Sequence, residues 1–303
     1  MQKQSLVTVG ITTYNHDKYI MDCLRSVLSQ NYSNYIIIVC DDASTDNTQN
    51  LLIDFQSQYP DKIKLFLNKK NEGITNSINI VLQNATGEYF TAIGGDDLMY
   101  ENQLSTQVDY LSRNSNCAMC FHDLDIINLE TNELISTHRP PINSFCHKRP
   151  GTFIDALRDG CFFHCVGIMF RLGSDFNLAF DHRIPLASDW LFFVELLHQT
   201  GTADYIPSVL GAYGRTPNSI TLNRPTDFKL EVDLLNSCNI LLFKYPLFRK
   251  SILNRCSMIH FGMRIKDPLY YIDHVKFSLK ISFKLKYLLI FCLYYLSLGI
   301  IKK

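Results

Sequence analysis

Short apolar runs alternate along the first third of the chain with stretches in which apolar side chains recur every three or four positions. Residues 6–12 (LVTVGIT) are apolar and β-branched and lead into Tyr14-Asn15-His16-Asp17, the pattern of a strand that ends in a loop. From Lys18 on, Tyr19, Ile20, Cys23, Leu24, Val27 and Leu28 share one helix face, with Asn15 or Asp17 as cap. Residues 35–40 (YIIIVC) contain no charged position, as in a strand covered on both sides, and stop at Asp41-Asp42. A helix capped by Ser44 or Thr45 should run to about Ser57, followed by a strand over 62–67, a helix over 73–84 and a strand over 88–93. That last strand ends in Gly94-Gly95-Asp96-Asp97. Strands alternating with helices in this way predict βαβ units, and hence a mostly parallel sheet flanked by helices, Rossmann-like in outline.

Beyond this, the spacing predicts a helix over 101–113 with Leu104, Val108 and Leu111 inward, and a strand over 118–127. Residues 138–151, with Pro140, Pro141 and Pro150, read as a loop. Residues 152–222 carry mixed signals, apart from a well-marked helix that begins at Ser188-Asp189, continues through WLFFVELLHQ and stops at Gly201. From 224 on the spacing is helical. Three regions are expected: 1–114, 115–223 and a helical extension over 224–303.

Composition narrows the picture. A chain of 303 residues that is 47% hydrophobic and 19% charged can bury a large core, which excludes a disordered protein. Lys+Arg 29 against Asp+Glu 29 gives no net charge, so no nucleic-acid partner is expected. The balance conceals a gradient, because residues 244–303 hold 12 Lys/Arg and 2 Asp/Glu. Ten cysteines at scattered spacings suit a reducing cytosol better than a disulfide framework, and no signal peptide is evident. Cys117-x-x-Cys120, together with Cys161, His164 and Cys165, are expected to be buried structural groups rather than zinc ligands. His122-Asp123 suits either an acceptor pocket or a strand-end hydrogen bond.

Placement carries the chemistry. Asp41-Asp42 and Asp96-Asp97 each follow a strand directly, so a parallel sheet brings both pairs to its carboxyl edge, where open α/β sheets bind ligands. Four carboxylates in one crevice call for compensation, and a divalent cation with oxygen ligands would supply it. Neither G-x-G-x-x-G after the first strand nor G-x-x-x-x-G-K-[ST] anywhere is present.

The chain has instead Val9-Gly-Ile-Thr-Thr-Tyr-Asn15, Val39-Cys-Asp-Asp-Ala-Ser-Thr-Asp46, Asn71-Glu-Gly73, and Ala85-Thr-Gly-Glu-Tyr with Gly95-Asp-Asp97. Over residues 5–112 this order resembles the inverting family 2 glycosyltransferases of GT-A fold. The resemblance implies that 1–114 binds a nucleotide sugar and 115–223 an acceptor. It places Thr12, Tyr14, Asn15, Asp41, Asp42, Gly73 and Asp96 around the nucleotide, Tyr14 offering a ring face and Asp42 accepting a base N–H. Asp97 and Asp96 would hold Mn²⁺ or Mg²⁺, although the family's first acidic residue there is Gly94 in this chain. Asp189 matches the general base, with a helix-dipole role as the alternative. Tyr213-Gly-Arg-Thr-Pro-Asn-Ser-Ile-Thr221 resembles a further family segment, with Gly214 and Thr216 in place of its Arg and His and Arg215 as a substitute.

The activity so implied is metal-dependent, inverting transfer from a nucleotide diphosphate sugar, UDP-linked by expectation, to a glycan or lipid-linked glycan in cell-surface polysaccharide synthesis. A non-catalytic nucleotide-sugar-binding subunit is the alternative; a nucleotidyltransferase lacks its basic phosphate loop. The last expectation concerns the membrane. Residues 287–301 form an uncharged run that spans ~22 Å as a helix, short of the ~30 Å of a hydrocarbon core. Lys276, Lys280, Lys284, Lys286, Lys302 and Lys303 collar it. Peripheral attachment through 276–303, at the inner face of the cell membrane on the cytoplasmic side, is expected over a core or oligomer-forming helix.

Overall fold

The computed structural model of the chain describes residues 4–173, 176–216 and 229–266, with side chains as far as 259. The run 287–301 and its basic collar lie outside the described residues, as do Pro217 to Thr221. The chain divides into two compact units, 1–156 with 161–224, and 157–160 with 225–303. Apart from 157–160, the expected regions 1–114 and 115–223 therefore fall in one unit and share one sheet.

That unit follows the predicted alternation through its first half: β1 (Val7–Thr13), α1 (Ile20–Leu28), β2 (Tyr35–Asp41), α2 (Thr48–Gln58), β3 (Ile63–Leu67), α3 (Ile74–Gln83), β4 (Tyr89–Gly94), β5 (Leu98–Met99) and α4 (Gln103–Arg113). β3, β2, β1 and β4 lie side by side and parallel. Alternation along β1 sorts its side chains. Val7, Val9 and Ile11 enter a core with Ile20, Leu24 and Val27 of α1. Thr8, Gly10 and Thr12 face the other way, and α3 lies close there: a Cβ on Gly10 would stand 2.6 Å from Val81 Cγ1. Only a glycine allows that approach.

In the second half, β6 (Cys117–Asn128), β7 (Leu134–His138), α5 (Phe153–Asp159), β8 (Met169–Arg171), α6 (Ser188–Thr200) and β9 (Thr202–Arg215) follow. β8 joins β4 and β6 antiparallel, so the sheet reads β3-β2-β1-β4-β8-β6-β9-β5, and β7 pairs antiparallel with the second half of β6. Three strands, β7, β8 and β9, and one helix, α5, were not expected here. β9 was hidden because Pro207 interrupts its apolar pattern. The β6–β9 register jumps from His122↔Ile206 to Asp123↔Val209, which leaves exposed Pro207 and Ser208 in a bulge where a missing N–H costs nothing. β5 and β8 are too short to show a period.

In the other unit, α7 (Lys229–Lys244) packs on α8 (Arg249–Lys266), burying Cys238, Leu241, Ile252, Leu253 and Cys256. Among the described residues no helix is long and apolar enough to cross a membrane.

Candidate active site

The register fixes the site. Thr12 stands opposite Cys40 on one side and Gly94 on the other, so β2 and β4 end level with β1 and both Asp pairs emerge at one edge. Both turns are tied to β1 itself: Asp42 N–H donates to Thr13 O and Gly95 N–H to Thr12 O, each at 2.9 Å.

The four carboxylates do not share one environment. Asp41 is fully buried and accepts from Ser44 N–H (2.9 Å), Gln49 Nε2 (2.6 Å) and the Ser44 hydroxyl, so it shapes the β2–α2 turn and does not face the crevice. Asp42 is also buried. It accepts from Asn68 Nδ2 (2.9 Å), Glu72 N–H (2.9 Å) and Gly73 N–H (2.8 Å), which folds the 68–73 loop onto the edge. Gly73, at φ 89, makes the left-handed turn that starts α3, and a Cβ there would meet nothing but strain. Asp97 is buried as well, with Oδ2 accepting from Gly94 N–H and Oδ1 from Gly214 N–H, both at 3.0 Å. Burial, and then the charge of Asp96, hold its carboxyl well above the usual carboxylate range against those two donors.

Asp96 alone remains partly open, 3.9 Å from His16 Nε2. His16, not singled out in the sequence, is turned to this edge by Thr13 Oγ1, 3.3 Å from its Nδ1. Its position two residues past Tyr14 in the loop after β1 was the available signal. A divalent cation fits here, because Mg²⁺ and Mn²⁺ are held by one or two carboxylates plus substrate phosphates and water. The expected ligand pair changes accordingly. Asp96 is the carboxylate a cation can reach, and Asp97 spends both oxygens on backbone.

Gly94 and Gly214, which depart from the family pattern, have a packing origin. A Cβ on Gly94 would lie 2.7 Å from Asp96 Oδ1 and 2.9 Å from Asp97 Oδ2. One on Gly214 would lie 2.1 Å from Asp96 O. Arg215 Nε is buried without a partner among the described residues. On the nucleotide side, Tyr14, in the loop after β1, is 42% exposed. Asn15, at φ 55, accepts from Thr45 N–H (2.8 Å) and gives its own N–H to Ser44 Oγ (2.8 Å), joining the loops after β1 and β2.

Beneath the edge, on the α3 side of the sheet, lies a cavity of about 210 Å³ walled mainly by Ile74, Phe90, Phe180 and Phe193. Thr12, Gly94 and Asp189 line it too. Asp189 sits in the first turn of α6, whose N-cap is Ala187 with no side-chain capping bond. Its Oδ1 accepts from Trp190 N–H (2.8 Å) and its Oδ2 from Cys165 Sγ (2.6 Å). Asp189 therefore serves the first turn of α6 through the Trp190 N–H while its other oxygen is turned to Cys165. The turn is anchored by Ser188 Oγ, 3.1 Å from Thr75 Oγ1 of α3, and by buried Trp190, whose Nε1 donates to Ala156 O at 2.9 Å.

The remaining polar candidates separate. Cys117 and Cys120 are buried, as expected of structural thiols. Cys161 and Cys165 are not: both are half-buried, and with Asp189 they bring three donor atoms within 4.8 Å of one another. His122 and Asp123 are buried between strands, with His122 Nδ1 2.7 Å from Asp123 O. Burial pushes His122 down to about 4. His164 reaches about 4 as well, through burial and then the positive charges of His138 and Arg215.

Residues 8–173, more than half the chain, match the profile of glycosyl transferase family 2. The chain belongs to that family. Its relatives include WfgD of Escherichia coli, named as a UDP-Glc:α-D-GlcNAc-diphosphoundecaprenol β-1,3-glucosyltransferase, 25% identical over 76% of this chain and 85% of WfgD. EpsE of Bacillus subtilis (strain 168) is 39% identical over 107 residues, 35% of this chain and 38% of EpsE. Among solved structures, S. aureus TarS 1-349 in complex with UDP-GlcNAc superposes with a TM-score of 0.67 at 15% identity, over 91% of this chain and 81% of that one. Pyrobaculum calidifontis mannosyltransferase PcManGT, in complex with GDP-Man and Mn²⁺, gives 0.63 at 18% identity over 98% and 81%. The family's GT-A fold is therefore also this chain's.

Proposed function

We propose that the chain transfers one sugar from a nucleotide diphosphate sugar to a hydroxyl of a glycan or lipid-linked glycan, inverting the anomeric carbon. The observation that carries this is the shared cavity: Asp189 lines it together with Thr12 and Gly94, residues of the β1 and β4 ends from which the edge is built. A UDP donor is supported by the TarS complex and by the name of WfgD, and a diphosphate-lipid acceptor by the latter. Use of Mn²⁺ or Mg²⁺ is supported by the PcManGT complex and by the open carboxylate of Asp96.

Each residue then has a task. Tyr14 stacks on the base, Asp42 accepts a base N–H, and Asn15, Asp41 and Gly73 hold the loops that shape this pocket. Asp97 fixes Gly94 and Gly214, and so the placing of Asp96, which would hold the cation. When bound, the cation neutralises charge on the departing diphosphate. Asp189 takes the proton of the acceptor hydroxyl. The hydroxyl oxygen attacks the anomeric carbon in line, and the bond to the diphosphate breaks with its electron pair leaving on the phosphate oxygen. Arg215, at the end of β9, adds positive charge near that edge. Asp189→Asn should keep nucleotide binding and melting temperature while transfer falls ~10²- to 10⁴-fold. Near-normal turnover of that variant would remove Asp189 from the mechanism.

We further propose that the protein works at the cytoplasmic face of the cell membrane, beside lipid-linked acceptors, with residues 276–303 as the peripheral contact. The sequence supports this through the basic collar around 287–301. Full-length protein should sediment with anionic vesicles at low salt and be released at high salt; indifference to vesicles would refute the attachment.

A further inference from the structure

Cys161, Cys165 and Asp189 converge from two separate stretches of chain, and Cys165 and Asp189 line the cavity. Their Sγ, Sγ and carboxylate atoms all lie within 4.8 Å of one another, and Cys165 Sγ already touches Asp189 Oδ2 at 2.6 Å. The loop that carries the cysteines is anchored. Phe163 is buried between Phe121 (ring centroids 5.6 Å) and Phe193 of α6 (5.1 Å), so both thiols are presented by a packed segment. All three side chains are half-buried, both thiols are free, and Asp189, whose Oδ1 accepts from Trp190 N–H, turns its Oδ2 to Cys165.

From this convergence we infer a second metal site, specific for a thiophilic divalent ion such as Zn²⁺, made of Cys161, Cys165 and Asp189 with water in the fourth position. The C-x₃-C spacing lies within the range of tetrahedral zinc sites. Zn–S near 2.3 Å and Zn–O of ~2.0–2.2 Å need ligand atoms roughly 3.5–3.8 Å apart, which side-chain rotation can reach from the present positions. Softness separates this site from the edge above it. Two thiolates favour Zn²⁺, whereas the oxygens of Asp96 and a diphosphate favour Mg²⁺ or Mn²⁺. On binding, each thiol releases its proton to solvent and both sulfurs bond the ion, as does one oxygen of Asp189. That oxygen can no longer accept the proton of an acceptor hydroxyl. Zinc therefore inhibits transfer, a consequence that rests on Asp189 being the base, whereas the site itself does not.

Full-length protein titrated with Co²⁺ in the presence of excess Mg²⁺ should develop a thiolate-to-cobalt charge-transfer band at one equivalent. Zn²⁺ should abolish the band by displacement. Cys161→Ser and Cys165→Ser should each lose the band and weaken zinc binding, measured against a chromophoric chelator, by more than the ~10- to 100-fold expected of a second-shell change. Cys161→Ala provides the same test should the serine variant fold poorly. Cys238→Ser controls for the other thiol pair and should keep the band. No band, or a band that survives loss of both Cys161 and Cys165, overturns the proposal. Turnover of the wild type relative to its own zinc-free rate should fall at least ~10-fold at saturating Zn²⁺ and recover with chelator. Zinc bound at these cysteines without loss of turnover would leave the site standing and overturn the role of Asp189 as base.

Discussion

In the half of the sheet built from β1 to β4, the buried carboxylates Asp41, Asp42 and Asp97 are each met by backbone N–H groups. In the half built from β6, β8 and β9, the buried carboxylates Asp123 and Asp204 meet side-chain hydroxyls instead. Asp123 accepts from Tyr205 OH at 2.6 Å and Asp204 from Tyr110 OH at 3.0 Å, while His122 leaves Nε2 with no partner among the described residues. Backbone donors fix turns, so the first half is a rigid frame for an edge. Side-chain partners leave the backbone free to bulge, and the β6–β9 ladder shifts register in three places. Pairs of adjacent residues split along the same line: Asp96 and Asp97 differ by one position, yet one is open to ligand and the other belongs to the frame.

Acid should separate the halves most strongly. His122 and His164 titrate near 4 when folded, against about 6.5 when unfolded. Between those values the unfolded state binds more protons, so stability falls as pH drops through 6.5 and goes on falling towards 4. On the order of 2 kcal/mol for each imidazole should be lost at pH 5, with burial the main cause. Asp97 works in the opposite sense, since its raised carboxyl favours the folded state as pH falls. Urea unfolding at pH 7 and pH 5 tests this, and His122→Asn should flatten the difference; an unchanged midpoint in the wild type would break the contrast.

Next in size is loss of a frame carboxylate. Asp97→Ala should destabilise by roughly 1–3 kcal/mol, the usual cost of orphaned buried donors, here the N–H groups of Gly94 and Gly214. Asp41→Ala should cost a similar amount through Ser44 and Gln49. Smallest on stability is Asp96→Ala, within ~0.5 kcal/mol, as expected of a partly open side chain. That variant should nevertheless lose the rise in melting temperature that UDP with Mn²⁺ gives the wild type. A retained rise, or an Asp96→Ala chain as unstable as Asp97→Ala, would erase the distinction between frame and ligand.

The difference between the halves also governs what could be read from the sequence. Where strands are covered on both faces and linked by helices, as from Val7 to Arg113, the apolar periods locate every element but the two-residue β5, and the paired aspartates mark the edge. Where pairing depends on a bulge, as at Pro207, or on a strand of three residues, as in β8, no period exists to be read. Site residues divide likewise. Asp189 and Tyr14 stand out by motif and sit where a ligand could meet them. The inward turn of Asp41 and Asp97 depends on donors up to 117 positions away, which adjacency in sequence cannot reveal. His16 and Cys165 were missed as neighbours of acidic residues for the same reason.

Trp190 is the single tryptophan of the chain. It is buried beside Asp189, with its indole N–H on Ala156 O. Under excitation selective for indole, the emission of the whole protein therefore originates from one fluorophore at the start of α6. Nucleotide, acceptor or metal entering the cavity can be followed by its intensity and wavelength without any label. The same signal would register displacement of this helix turn during a catalytic cycle, on timescales that stopped-flow mixing can reach.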